Sequence, residues 1–189
     1  MSVAIITGAS GGIGSEFARQ ISRLDGIDEM WLIARNEERM IKLGEELGLK
    51  YKVISADLTT AEGIEKVRTA LREEAPRVKF LVNASGFGNY ELRKYGVRAT
   101  CFCPGWVDTE FLGKSLANGN THPKSMKPLL KCEDVVRRCV KASLKGRVMC
   151  VTNWYTKLQH LMFKLLPDKL LTGAWLGMLV KDENKDSEE

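Results

Sequence analysis

The sequence predicts an α/β fold: a doubly wound parallel sheet with helices on both faces, three layers in all. Three observations point to it. Short apolar runs alternate with amphipathic runs through the first half of the chain, and the joints between them are short. The chain has 189 residues, with 44% apolar and 28% charged. That is ordinary globular usage, at a length suited to one core and one domain of about 100–200 residues. The domain is expected over residues 1–180, with the acidic tail 181–189 (KDENKDSEE) solvated and disordered.

Val3–Thr7 is too short for a helix and ends in glycines, so it reads as a buried strand. Gly12 to Leu24 carries Ile13, Phe17, Ile21 and Leu24 at helical spacing. Met30–Ala34 is a second strand, and Glu37–Leu47 a second helix stopped by Gly48. Tyr51–Ser55, Ala61–Glu74 and Val78–Ala84 continue the rhythm as strand, helix and strand. Beyond residue 84 it changes. Val97–Cys103 reads as a strand stopped by Pro104-Gly105, Glu133–Leu144 as a helix and Arg147–Thr152 as a strand. Tyr155–Leu166 reads as an amphipathic helix ending before Pro167. Asn118–Pro128 is a Gly/Pro/Asn-rich loop, long enough for a mobile cover. Trp154, Leu158, Leu161, Met162 and Leu165 share one helical face, which suits core cover, a dimer or substrate-pocket cover, or membrane-surface attachment.

Composition excludes several classes. Lys+Arg 29 against Asp+Glu 24 leaves +5, spread without any basic block, so nucleic acid is not an expected partner. Five cysteines (Cys101, Cys103, Cys132, Cys139, Cys150) form no CxxC pair and read as free thiols of a reducing compartment. Cys101 and Cys103 fall on one face of their strand and read as small core residues. His122 and His160 have no ligand-like neighbours, so no metal site is expected. The N-terminus lacks a secretory pattern, and the uncharged run Leu170–Val180 is 11 residues, about half a membrane span. The expected location is cytoplasmic, with no membrane contact.

The strongest chemical signal is Thr7-Gly8-Ala9-Ser10-Gly11-Gly12-Ile13-Gly14, set between the first strand and the first helix. Glycines there permit a tight turn and a close backbone approach to a pyrophosphate, whose charge the helix N-terminus receives. The end of the second strand chooses the cofactor. A carboxylate there would hold the ribose 2′-OH of NAD, but this chain has Ala34-Arg35-Asn36. Arg35 offers a planar donor fork to the 2′-phosphate of NADP(H), the favoured cofactor over NAD; the competing reading is a surface arginine at a strand end.

These residues resemble the short-chain dehydrogenase/reductase family. TGASGGIG matches its TGxxxGxG motif at Thr7, Gly8, Gly12 and Gly14, with Ser10 and Ile13 inside the loop. Asp57-Leu58 resembles the family's adenine-contacting position. Asn83-Ala84-Ser85-Gly86 resembles NNAG, with Val82 in place of the first Asn. Pro104, Gly105 and Thr109 match the PGxxxT segment that lines the nicotinamide side. The resemblance implies a Rossmann-type domain that binds NADP(H) through these residues. It also implies hydride transfer to or from a small carbonyl or alcohol.

The chain also departs from the pattern. Asn83–Tyr90 runs straight into Glu91-Leu92-Arg93-Lys94-Tyr95-Gly96, a string that in the family follows the catalytic helix. One central strand and its helices, with the catalytic Ser, Tyr and Lys, therefore have no counterpart, as in a truncated member. Tyr90 and Lys94 do fit Tyr-x-x-x-Lys, either by coincidence or as a re-created dyad. The connection Ser85–Gly96 is 12 residues, enough for a short crossover, so Val97–Cys103 is expected to pair beside Leu81–Ala84 in an order beginning 3-2-1-4. The unmatched apolar surface favours a homo-oligomer. Two functions compete: an NADP(H)-dependent oxidoreductase, and a pseudoenzyme or scaffold that holds the cofactor without turnover.

Overall fold

The computed structural model describes residues 1–83, 99–117, 122–123, 129–165, 170, 172–173 and 179–180. The acidic tail, most of the Asn118–Pro128 loop and the segment holding Tyr90 and Lys94 lie outside these. The chain forms two compact units, Met1–Val97 and Arg98–Glu189.

In the first unit, β1 (Ser2–Thr7), β2 (Glu29–Ala34), β3 (Lys50–Ser55) and β4 (Arg77–Asn83) alternate with α1 (Gly12–Ile21), α2 (Glu37–Glu46) and α3 (Ala61–Glu74). The strands are parallel in the order β3-β2-β1-β4, as expected. The two inner strands, β1 and β2, are buried on both faces and so read as near-continuous apolar runs. On one face Val3, Ile5, Trp31, Ile33 and Ile54 form a cluster with Ala56, and Leu58 and the α3 residues Val67, Ala70 and Leu71 pack on it. Burying an aliphatic or aromatic side chain of this size contributes about 1.5–3 kcal/mol. Lys52 lies 4.8 Å over the Trp31 ring and pairs with Glu74 at the end of α3. On the opposite face, Met30 sits in register with Tyr51. A Cβ on Gly44 of α2 would lie 2.3 Å from the Tyr51 ring. Only glycine lets α2 sit that close to the sheet.

Caps explain the helix boundaries. Asn36 accepts from Arg39 N at 2.9 Å and Thr60 accepts from Gly63 N at 3.1 Å, so α2 and α3 begin there. α3 ends at Ala75 in the left-handed region, just before Pro76.

The second unit holds β5 (Cys101–Cys103), β6 (Val107–Asp108), α4 (Glu110–Ala117), β7 (His122–Pro123), β8 (Leu130–Lys131), α5 (Cys132–Leu144), β9 (Met149–Val151), α6 (Trp154–Leu165) and β10 (Leu179–Val180). β5 pairs in parallel with β9, β6 in parallel with β8, and β7 antiparallel with β10. This corrects the expectation that Val97–Cys103 continues the first sheet beside Leu81–Ala84. Cys101–Cys103 is the strand, and its ladder partner is Met149–Val151. The length of the 85–96 connection permitted the other pairing but did not require it, and β9 offers β5 a parallel partner in the same unit. The α5 residues Val135, Val136, Cys139, Val140 and Ala142 form its buried stripe. Trp154, Leu158 and Leu161 on α6 are exposed, so these three do not serve as core cover. Among the described residues, no helix is long and apolar enough to cross a membrane.

Burial, helped by the neighbouring Cys150, pushes the Cys139 thiol from the ordinary 9 up to about 12. In this interval the unfolded chain releases the proton that the folded chain keeps, so stability is level below 9 and falls as pH climbs toward 12. Urea midpoints followed across that range should decline, and Cys139→Ala should decline less. Parallel declines in the two proteins would assign the alkaline loss to another group.

Candidate functional site

Four parallel strands put their C-terminal ends on one edge of the sheet. Thr7, Ala34, Ser55 and Asn83 stand there in the spatial order 55, 34, 7, 83. The chain winds from β1 toward β2 and β3, then returns to place β4 on the other side of β1. That reversal makes the β1/β4 edge the switch point of the strand order, the place where open α/β sheets bind ligands. Thr7 Oγ1 and Asn83 Oδ1 are hydrogen-bonded across it at 3.0 Å.

The glycine loop emerges at this switch point. Gly8 (φ 68°) and Gly12 (φ 54°) occupy the left-handed region, where a side chain is strained. Gly14 answers to a different constraint. A Cβ there would lie 2.1 Å from the Gly8 carbonyl oxygen, so the first turn of α1 rests on the loop that feeds it. Ala9 N donates to Ile33 O at 3.3 Å and ties the loop to β2. Ser10 and Ile13 are half-buried on the loop and the first turn.

The three helix starts in this unit differ in charge. α2 has a side-chain cap with Glu37 and Glu38 in its first turn, and α3 has a cap with Glu62. α1 has neither a side-chain cap nor an acidic residue in its first turn. Its N–H groups and positive dipole end thus meet no carboxylate from the helix's own first turn, an arrangement that suits an anion.

Arg35 is exposed at the end of β2, and Asp57 follows β3 on the same edge. Hydrogen bonds from Thr59, the hydroxyl at 2.7 Å and the backbone N–H at 3.0 Å, hold the Asp57 carboxyl below its ordinary value. The Arg35 charge acts in the same direction. The Asp57 backbone is equally constrained, since a Cβ on Gly63 would meet its carbonyl oxygen at 2.0 Å. Leu58 packs against the sheet cluster. One site residue escaped sequence reasoning: Arg39 Nη1 lies 3.8 Å from the position a Gly11 Cβ would take. The signal was present as Arg35-x-x-x-Arg39 spanning a helix start, which puts a second cation near the glycine loop.

The first unit therefore brings together Thr7, Gly8, Ser10, Gly12, Ile13, Gly14, Arg35, Asp57, Leu58 and Asn83. Ala84, Tyr90 and Lys94 lie outside the described residues. Pro104, Gly105 and Thr109 belong to the second unit, where their turn is firmly built. Thr152 Oγ1 donates to Pro104 O at 2.7 Å, and Arg138 reaches Thr152 O at 2.5 Å. Gly105 has φ 74°, and Thr109 O accepts from Leu112 N and Gly113 N to start α4.

Comparison with known proteins agrees with the geometry. Residues 2–91 match the family model described as short chain dehydrogenase. An uncharacterized oxidoreductase of Staphylococcus epidermidis is 33% identical over 84 residues, 44% of this chain and 36% of that protein. Sepiapterin reductase of Mus musculus is 39% identical over 77 residues, 38% of this chain and 30% of that one. The chain thus spans about a third of the length of these curated relatives. A short-chain dehydrogenase from Sphingobium yanoikuyae, solved in complex with NADPH, superposes with TM-score 0.67 over 94% of both chains. At 17% identity that likeness is one of fold.

Gly14→Ala drives a methyl into the Gly8 backbone, and overpacking of this kind costs typically about 1–3 kcal/mol. Its melting temperature should fall below that of wild type. Gly11→Ala, whose nearest neighbour would be Arg39 Nη1 at 3.8 Å, should melt like wild type. Equal melting of Gly14→Ala and wild type would show that the helix start can shift to accept a side chain.

Proposed function

We propose that this chain, whose residues 2–91 match the short chain dehydrogenase family model, is a short-chain dehydrogenase/reductase and binds NADP(H) at the Gly8–Gly14 loop for oxidoreductase chemistry. The single observation that carries this reading is the start of α1, which has no side-chain cap and no acidic residue in its first turn and opens on that loop at the β1/β4 switch point. The pyrophosphate sits on the α1 N-terminus. Thr7, Gly8, Ser10, Gly12, Ile13 and Gly14 shape its cradle. Arg35, joined by Arg39, receives the 2′-phosphate, which favours NADP over NAD. Asp57 and Leu58 border the adenine, and Asn83 and Ala84 flank the cofactor as it passes β4. Pro104, Gly105 and Thr109 serve the nicotinamide end. The reaction class is hydride transfer between nicotinamide and a small carbonyl or alcohol. The names of the two relatives and the NADPH held by the fold neighbour support this. Free thiols suit a cytoplasmic location, and a homo-oligomer is the proposed assembly.

A second reading has an observation of its own. No Ser and Tyr-x-x-x-Lys set maps onto the family's catalytic positions, and Tyr90 with Lys94 is the sole lookalike. A bound cofactor supplies hydride, but carbonyl reduction also needs a proton donor within hydrogen-bond reach, worth typically about 10²–10⁴-fold. The chain is then a cofactor-holding pseudoenzyme.

Two measurements decide. NADPH fluorescence titration should show tighter binding than NADH. Arg35→Asp should erase about 1–3 kcal/mol of that preference, the range for hydrogen bonds to charged groups. An unchanged preference would remove Arg35 from the site. Turnover of a panel of aldehydes and ketones should be absent or very weak under the second reading. Measurable reduction that disappears in Tyr90→Phe would establish the first reading with Tyr90 as the acid.

A further inference from the structure

Outside the cofactor edge, the second unit carries a cluster of nucleophilic side chains that the proposed function does not use. Cys101 and Cys103 are alternate residues of β5, so both side chains leave the same face. Their sulfurs stand 3.8 Å apart, and both residues are partly exposed. Cys150 is in register with Phe102 and shares Phe102's face, the opposite one. There it meets the buried Cys139 of α5. The four thiols are therefore two pairs on two faces. In accord with that, among the described residues no group of three or more His, Cys, Asp or Glu is arranged around a metal ion.

Hydrogen bonds frame this partly exposed pair. Cys101 N donates to Val148 O at 2.8 Å, and Thr100 Oγ1 donates to Arg147 O at 2.6 Å. β5 runs in register with β9 across all three residues, and Pro104 O is held by Thr152. An extended strand separates alternate Cβ atoms by about 6.6 Å, two rises of about 3.3 Å. A disulfide needs its Cβ atoms roughly 3.5–4.5 Å apart, so it would have to break the β5–β9 ladder. A bridging ion has no such difficulty. Taking the zinc–thiolate bond of about 2.3 Å as a guide, a linear sulfur–metal–sulfur unit spans about 4.6 Å, less than 1 Å more than the present 3.8 Å spacing.

We propose that Cys101 and Cys103 form a two-coordinate binding site for a soft monovalent cation of the Cu(I) type. Soft thiolates select such ions, and an ion content with two ligands suits a site with no third donor. Zinc, which takes four ligands in structural sites, is not satisfied there. The step is a ligand exchange without redox change: two thiols release two protons to solvent, and two thiolates close on one cation. The complex gains one net negative charge, in a unit where Arg138, Arg147 and Lys157 lie within electrostatic reach of Cys150 on the neighbouring strand.

The test is an anaerobic titration of the full chain with Cu(I), delivered as its complex with the chromogenic chelator bathocuproine disulfonate. One equivalent should pass from chelator to protein. Cys101→Ser and Cys103→Ser should each weaken binding by on the order of 100-fold or more, since one thiolate leaves a two-coordinate soft ion half-satisfied. Cys132→Ser should bind like wild type. X-ray absorption should show two sulfur scatterers. If the serine variants fail to fold, the wild-type chain still decides: Cu(I) should protect Cys101 and Cys103, and not Cys132, from alkylation mapped by peptide mass spectrometry. The proposal is overturned by copper left on the chelator, by equal uptake in the Cys101→Ser/Cys103→Ser variant, by a shell of three or four sulfurs, or by no selective protection.

Discussion

The contact between Gly14 and the Gly8 carbonyl governs how the first unit presents its edge. Where a Cβ would come within 2.1 Å of that oxygen, the helix axis is brought as near to the end of β1 as backbone atoms allow. The consequences run outward from there. The α1 dipole meets the sheet edge at the switch point, and the loop is short enough for Ala9 to bond β2. Side chains of α1 such as Phe17, Ala18 and Ile21 reach the core. A larger residue at position 14 would lift the helix from the strand and separate the glycine loop from the residues at the other strand ends. The same device recurs at Gly63, which lets α3 settle on the Asp57 carbonyl and so orders the turn that carries that carboxylate.

Electrostatics divides labour among helix ends that are geometrically alike. α2 and α3 answer their own dipoles with Asn36, Glu37, Glu38, Thr60 and Glu62. These caps set where each helix starts and leave little field for a ligand. α1 leaves its field unanswered by any first-turn carboxylate, and an uncompensated dipole at a helix start is a standing cost that a bound anion removes. Arg35 and Arg39 add cationic charge on the same side, while Asp57 stays ionised through Thr59 and becomes a fixed acceptor.

Much of the first unit was legible because local rules and the global fold agree there. Apolar runs such as Ile5-Ile6 and Leu32-Ile33 are buried on both faces, the caps are strong, and each βα joint is short; α3 starts and ends as its pattern predicts. The conformation of the glycine loop was legible for the same reason, since glycines at 8, 12 and 14 leave few alternatives. Arg39 was missed because its role depends on where α2 starts relative to the loop, which spacing alone conceals. In the second unit the strands are two or three residues long, and their partners are distant in sequence. Periodicity has no purchase on such segments. Pairing there is settled by tertiary context, as β5 with β9 illustrates, and α4 went unread because Gly113 and its short length disguise it.

β4 has a further consequence, for solubility during folding. Among the described residues it is a terminal strand of the sheet, and Val78 and Leu81 are 44% and 61% exposed. The segment Phe80-Leu81-Val82 combines high β-propensity with no charge, the composition from which ordered aggregates nucleate. Arg77 and Lys79 stand immediately upstream as gatekeepers. Lys79 Nζ is also fastened to Asp25 O at 2.9 Å, anchoring the start of the strand to the turn before β2. Charges beside such a segment oppose accretion of one chain's β4 onto another's while the protein is being made, an effect on yield and shelf life that adds to the contact Lys79 makes in the folded chain.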